Sequence, residues 1–194
     1  MSTSIVMVRH GETDWNSENR FQGHADPPLN DAGRAQAQEL AERLDGEPVA
    51  VAYTSPLKRA HQTAEIVCYR LGIELHASAS LMEVDLGSWS GLTRGEVEVR
   101  FPDGYRRWLD YGHGWDDGES YDELGERVVS GLLDIAARHP EELVLAVTHG
   151  GPIRSALAAA AGVRFAEARR SIALLENCAI VRFAVRNGIL EGVD

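Results

Sequence analysis

Short continuous apolar runs separated by amphipathic stretches set the rhythm of this chain. Ile5-Val6-Met7-Val8, Val49-Ala50-Val51-Ala52-Tyr53 and Val144-Leu145-Ala146-Val147 are unbroken by charge, as strands buried on both faces of a sheet must be. The stretches between them carry helical spacing, with acids such as Glu39 and Glu42 on solvated faces. The pattern predicts a strand at 4–9, a helix at 31–44, a strand at 49–54, a helix at 56–71 and a short strand at 73–76. It continues with helices at 93–100 and 121–138, a strand at 143–148, a helix at 152–161, and terminal strands at 171–175 and 178–186. Boundary signals agree: Thr93 with Glu96 and Ser120 with Glu123 have capping-box spacing, Gly46 and Gly72 follow helix ends, and Asn187-Gly188 suits a hairpin. Alternation of this kind means a layered α/β sheet.

The chemistry-bearing residues stand where these strands end. The first run finishes on Arg9-His10-Gly11 and the late one on Thr148-His149-Gly150, so two strands deliver imidazoles to one edge of the sheet. Ligands of open α/β sheets bind outside that edge. Arg9 supplies fixed charge, His10 a nucleophile or base near neutral pH, and Gly11 room for a close turn. The middle run ends in Thr54-Ser55-Pro56, and the following helix carries Lys58, Arg59 and His61 in its opening turns. With Ser55 as cap and Pro56 at the first helical position, that helix start is an anion site.

These residues resemble the histidine phosphatase superfamily, the phosphoglycerate-mutase-like proteins. The matching segments are Val8-Arg9-His10-Gly11-Glu12-Thr13-Asp14-Trp15-Asn16, Gln22-Gly23, Asp26-Pro27-Pro28-Leu29-Asn30-Asp31-Ala32-Gly33, Thr54 through Ala64, Leu81 through Gly91, Gly118-Glu119-Ser120 and Val147 through Gly151. The resemblance implies a three-layer sandwich with a mostly parallel sheet, one antiparallel strand and helices on both faces. It implies that His10 is phosphorylated, that Arg9, Arg59 and His149 hold the phosphoryl group, and that Glu83 is the proton donor. Asn16, Gln22 and Gly23, with Gly150 after His149, fall where the family places contacts to phosphate or substrate. Spacing alone does not separate Glu83 from Asp85.

Phosphoryl transfer needs an in-line nucleophile, positive charge on the equatorial oxygens and a proton for the leaving oxygen. Neutral His10 can attack phosphorus if its other ring nitrogen is fixed by a backbone carbonyl or similar partner. Arg9 and Arg59 offer planar forks, and a protonated His149 would add a third donor. The reading is a metal-independent phosphomonoesterase of the histidine acid phosphatase type, working through phosphohistidine on small-molecule phosphoesters. The alternatives are a phosphoglycerate mutase dependent on 2,3-bisphosphoglycerate and a noncatalytic phosphate-binding module. The mutase branch binds its substrate carboxylate with an Arg pair in an inserted segment. Arg106-Arg107 falls at a broadly similar distance after Glu83, although the segment from Gly87 to Ser120 is shorter than that insertion. The rings of this segment, Trp89, Tyr105, Trp108, Tyr111 and Trp115 among them, suit either an apolar wall of the site or an anchor to the core.

Composition narrows the partners. A chain of 194 residues with 44% hydrophobic content suits one domain, 1–194. A net charge of −11 argues against nucleic acid or an anionic membrane surface. The expected partner is a small phosphoester; no cofactor or metal is expected, and a homodimer is compatible with the sequence. No membrane span or secretory leader is read, so the cytoplasm is the default location. Cys68 and Cys178 form no close-spaced motif and read as buried free thiols, at helix-like and strand-like positions.

Overall fold

The apolar runs become strands β1 (Ser2–Arg9), β2 (Val49–Thr54) and β4 (Leu143–Thr148), joined by β3 (Leu75–Ala77), β5 (Ile180–Arg186) and β6 (Ile189–Val193). The computed structural model describes residues 2–172 and 175–193. One sheet has the order β3-β2-β4-β1-β5-β6. β1 through β4 run parallel, β5 is antiparallel to β1, and β6 is antiparallel to β5. Only β5 therefore opposes the common direction, as expected.

Side chains alternate across this sheet and are buried on both sides. Ile5, Met7, Val144 and Ala146 join one apolar cluster, while Val6, Val8, Leu145 and Val147 join a second. The second is covered by α2 (Asp31–Arg43) and α3 (Lys58–Leu71) through Leu40, Ala60, Ala64 and Val67. The first is covered by α6 (Tyr121–Arg138), α7 (Gly150–Ala161) and α8 (Phe165–Ser171) through Leu124, Leu132, Ile153 and Phe165. Each of the leucine, isoleucine, valine and phenylalanine side chains among them contributes about 1.5–3 kcal/mol when removed from water. Capping boxes at Thr93 and Ser120 start α4 (Arg94–Arg100) and α6. Asn187 and Gly188, both at positive φ, turn β5 into β6.

Departures from the sequence pattern have local causes. α3 begins at Lys58 rather than Pro56, because Ser55 still belongs to the sheet edge, its N–H donating to the Val147 carbonyl. The Lys58 N–H is capped instead by Asp26 Oδ1 at 2.6 Å, from a loop 32 residues away. α1 (Asp14–Ser17) and α5 (Pro102–Leu109) were not legible: the first is a single turn, and the second has no apolar stripe of ordinary length. The strand expected at 171–175 is not found: α8 runs to Ser171, Leu175 is irregular, and Ala173 and Leu174 lie outside the described residues. Cys178 occupies a turn at φ 57° ahead of β5 rather than a strand, and both cysteines are free and buried. Among the described residues, no helix is long and apolar enough to cross a membrane.

The segment from Gly87 to Ser120 is anchored by Trp89 and Trp115, 1% and 2% exposed, in edge-to-face contact at 5.7 Å. Here α5 approaches the following loop closely: a Cβ on Gly104 would lie 2.2 Å from the Gly114 carbonyl oxygen and 3.2 Å from the Trp89 ring. Trp108 of α5 then reaches Phe21, ring centroids 5.2 Å apart.

Candidate active site

The register of β1 on β4 pairs Arg9 with Thr148, so the residues that follow, His10 and His149, emerge side by side with ring centroids 5.1 Å apart. His10 is fixed through its backbone. Its N–H donates to the Thr148 carbonyl at 2.9 Å, and its carbonyl accepts from Asn177 Nδ2 at 2.9 Å. Its Nδ1–H donates to the Gly11 carbonyl at 2.7 Å, leaving Nε2 as the unprotonated nitrogen. Burial, then Arg59 and Arg9, hold its pKa well below the usual histidine value, so the ring is a neutral base.

Arg59, only 1% exposed, is held by the fold rather than by a carboxylate. It donates to the carbonyls of Ala25 and Gly23, both at 2.8 Å, and through Nε to His149 Nδ1 at 3.2 Å. Three of its five N–H groups are committed, and burial lowers its pKa to about 10, which leaves it charged at neutral pH. Arg9 donates to the Leu175 carbonyl and is likewise lowered by burial, with Glu83 opposing.

His149 departs from the sequence expectation of a protonated donor. Its Nδ1 accepts from Arg59, so its Nε2–H donates to Ser55 Oγ at 2.8 Å. Burial and the Arg59 charge keep the ring neutral, its pKa well below the ordinary value. It is fully buried behind Arg59 and does not reach the cavity wall.

That wall encloses about 420 Å³ and includes Arg9, His10, Asn16, Gln22, Gly23, Arg59, Glu83 and Gly150. Asn16 spends its oxygen on the Thr13 N–H and hydroxyl, both at 3.0 Å, which leaves its NH2 group as donor. The Gln22 oxygen is buried with no hydrogen-bond partner among the described residues. Glu83 accepts from the Val84 N–H at 2.9 Å and from the Gly151 N–H at 3.4 Å. A Cβ on Gly151 would stand 2.2 Å from Glu83 Oε1, so only glycine leaves the carboxylate in place. Asp85, its rival in sequence, accepts from the Gly87 N–H and is absent from the wall.

The rest of the wall was missed. Arg20, Arg94, Arg154 and Arg169 also face the cavity, so that among the described residues six arginines and one carboxylate, Glu83, line it, Arg20 being paired with Glu18 and Glu96. Phe21, Trp108, Tyr121 and Phe165 supply its rings. Arg106 and Arg107 are not there: both are exposed on α5, paired with Asp103 and Asp116. No sequence signal marked Arg154 or Arg169, since each reads as an ordinary polar position on a helix.

The chain resembles known proteins over most of its length. The family model described as histidine phosphatase superfamily, branch 1, matches residues 5–191. The chain is 44% identical over 156 residues to phosphoglycerate mutase-like protein 4 of Arabidopsis thaliana, covering 78% of this chain and 68% of that protein. It is 36% identical over 161 residues to phosphoserine phosphatase 1 of Hydrogenobacter thermophilus, covering 82% and 76%. The solved structure of YhfR from Bacillus stearothermophilus superposes with a TM-score of 0.92 at 32% identity, covering 98% of this chain and 95% of that one. Two paired strand ends that bring His10 and His149 together, a buried arginine bonded to His149, and a family match along nearly the whole chain lead to one assignment: the protein belongs to the histidine phosphatase superfamily.

Proposed function

We propose that this protein is a metal-independent phosphomonoesterase of the histidine acid phosphatase type that hydrolyses small phosphoesters through a phosphohistidine on His10. The observation that carries this reading is the neutral His10 ring, its Nδ1–H held by the Gly11 carbonyl, in one cavity with Arg9, the buried Arg59 and Glu83. In the first step Nε2 attacks phosphorus, the phosphorus–oxygen ester bond breaks, and Glu83 gives its proton to the leaving oxygen. No proton need leave the ring, because Nδ1–H stays on Gly11 while Nε2 carries the phosphoryl group. In the second step the Glu83 carboxylate takes a proton from water, the hydroxide attacks phosphorus, and the phosphorus–nitrogen bond breaks. Arg9, the remaining N–H groups of Arg59 and the N-terminal amides of α7 at Gly150 and Gly151 balance the charge on the phosphoryl oxygens. Neutral His149 holds the Arg59 fork in place.

Relatives named phosphoserine phosphatase, and a mycobacterial glucosyl-3-phosphoglycerate phosphatase at 34% identity over 168 residues, support hydrolysis of small organic phosphates. The mutase alternative loses its expected carboxylate clamp, since Arg106 and Arg107 face solvent. Brief incubation with ³²P-labelled phosphoester followed by denaturation tests the reading: an acid-labile, base-stable label should form on the wild type and be absent from His10→Ala. Label on a serine or aspartate would refute it.

A further inference from the structure

The arginines of the cavity do not all serve one phosphoryl group. Arg59 is influenced electrostatically by Arg9, Arg9 by Arg154, and Arg154 by Arg169, with Glu83 acting on the first three. Arg9, Arg59, Arg154 and Arg169 line one cavity with His10 and Glu83, and Trp108 and Tyr121 line it as well. Arg169 is built in there. Its Nη1 donates to the Trp108 carbonyl at 2.9 Å and the Gly112 carbonyl at 3.4 Å, and its guanidinium lies 4.6 Å from the centroid of the Trp108 ring. The Tyr111 and Tyr121 rings follow at 5.6 and 5.8 Å. None of these partners is anionic, so they orient the charge without neutralising it.

Arg154 comes from α7 and Arg169 from α8, helices packed on each other, and the two half-buried side chains reach the same cavity. Two like charges brought together in a partly desolvated space repel. An anion entering the cavity beside them is attracted by both guanidinium groups. Glu83, a carboxylate on the same wall, is held by the Val84 and Gly151 amides.

Resting on the phosphatase reading above, we propose that Arg154 and Arg169 form a second anion subsite, and that the substrate is a phosphoester whose leaving alcohol carries its own negative charge, a carboxylate or a second phosphate. Phosphorus sits at His10, the ester oxygen at Glu83, and the leaving group extends outward to the two guanidinium forks. A cavity of about 420 Å³ suits a small metabolite-sized ester.

The test compares matched esters. 3-Phosphoglycerate against glycerol 3-phosphate reads the carboxylate, and 1,3-propanediol bisphosphate against 3-hydroxypropyl phosphate reads the second phosphate. Kd is measured calorimetrically on His10→Ala, and kcat/KM on the wild type. The anionic member of at least one pair should be preferred by about 10- to 100-fold, the scale of charge-assisted hydrogen bonds. Arg169→Met and Arg154→Met should each collapse that ratio, Arg169→Lys should keep part of it, and Arg106→Ala should leave it unaltered. The ratio separates a subsite from a merely structural role, because loosened packing of α5 would weaken both members of a pair alike. Equal Kd values within both pairs would overturn the subsite even if every ester is hydrolysed. A preference in Kd without turnover of any ester would uphold the subsite and overturn the phosphatase reading instead.

Discussion

Glu83 and Asp85 are two residues apart and chemically alike, yet their surroundings assign them different work. Glu83 faces the cavity with its carboxylate on the Gly151 amide, whereas Asp85 turns back onto Gly87. Glu83→Gln should therefore lower kcat by about 10²–10⁴, the scale of a lost general acid, with little change in substrate Kd. Asp85→Asn should leave kcat near the wild-type value; steady-state and binding measurements on the pair decide it. The two buried histidines give a pH prediction whose sign follows from their depressed pKa values. Between their ordinary value near 6.5 and the lower folded value, the unfolded chain binds more protons, so stability falls on acidification through that window. The slope should approach about 1.4 kcal/mol per pH unit for each histidine, read by denaturant unfolding between neutral and mildly acidic pH. For the same reason kcat/KM should keep its plateau below pH 6.5, the free enzyme's nucleophile remaining unprotonated. An acid limb centred on 6.5 would show that His10 titrates as an ordinary histidine.

At the scale of elements, the site depends on how the short helices dock. α5 rests on Trp89 through the glycine contact between Gly104 and Gly114, and that contact places Trp108 in the cavity and aims its carbonyl at Arg169. Gly104→Ala drives a methyl group into the Gly114 carbonyl, which forces α5 outward. The expected result is a loss of about 1–3 kcal/mol in unfolding free energy, typical of overpacking, together with a raised KM. An unchanged KM would show that α5 has no part in binding. At the far end of the same wall, α7 begins directly at the cavity, and its first amides can serve both Glu83 and a phosphoryl oxygen.

For the whole molecule, the contrast between the net charge of −11 and six cavity arginines concentrates the positive potential in one cleft. A cleft of that kind draws in anions and does so less effectively in salt. Raising NaCl from about 0.05 to 0.5 M should lower kcat/KM for a dianionic ester several-fold with little effect on kcat. Because the arginines supply the charge a metal would bring, activity should survive exhaustive treatment with EDTA. Loss restored by Mg²⁺ or Zn²⁺ would replace the proposed mechanism with a metal-assisted one.

Order and chemistry at the strand ends were legible from the chain, because they are local. An apolar run followed by Arg9-His10-Gly11 or His149-Gly150 marks both a buried strand and the residues at its carboxyl edge, whereas the pairing of β1 with β4 and its register join residues more than a hundred positions apart and came from the fold. Arg59 was legible for the same reason, one turn beyond a strand end. What belongs to tertiary structure is the direction in which helical side chains point. Arg106 and Arg107 form a conspicuous pair in sequence but lie on the outer face of α5, while Arg154 and Arg169, fifteen residues apart by number and on different helices, meet in the cavity because α7 and α8 pack together over the sheet. His149 shows the same division within one residue: its position at a strand end follows from sequence, but its neutral state follows from burial against Arg59, a contact 90 residues away. Periodicity says which residues share a strand or helix, and only the packing of those elements decides which charges share a site and in what protonation state.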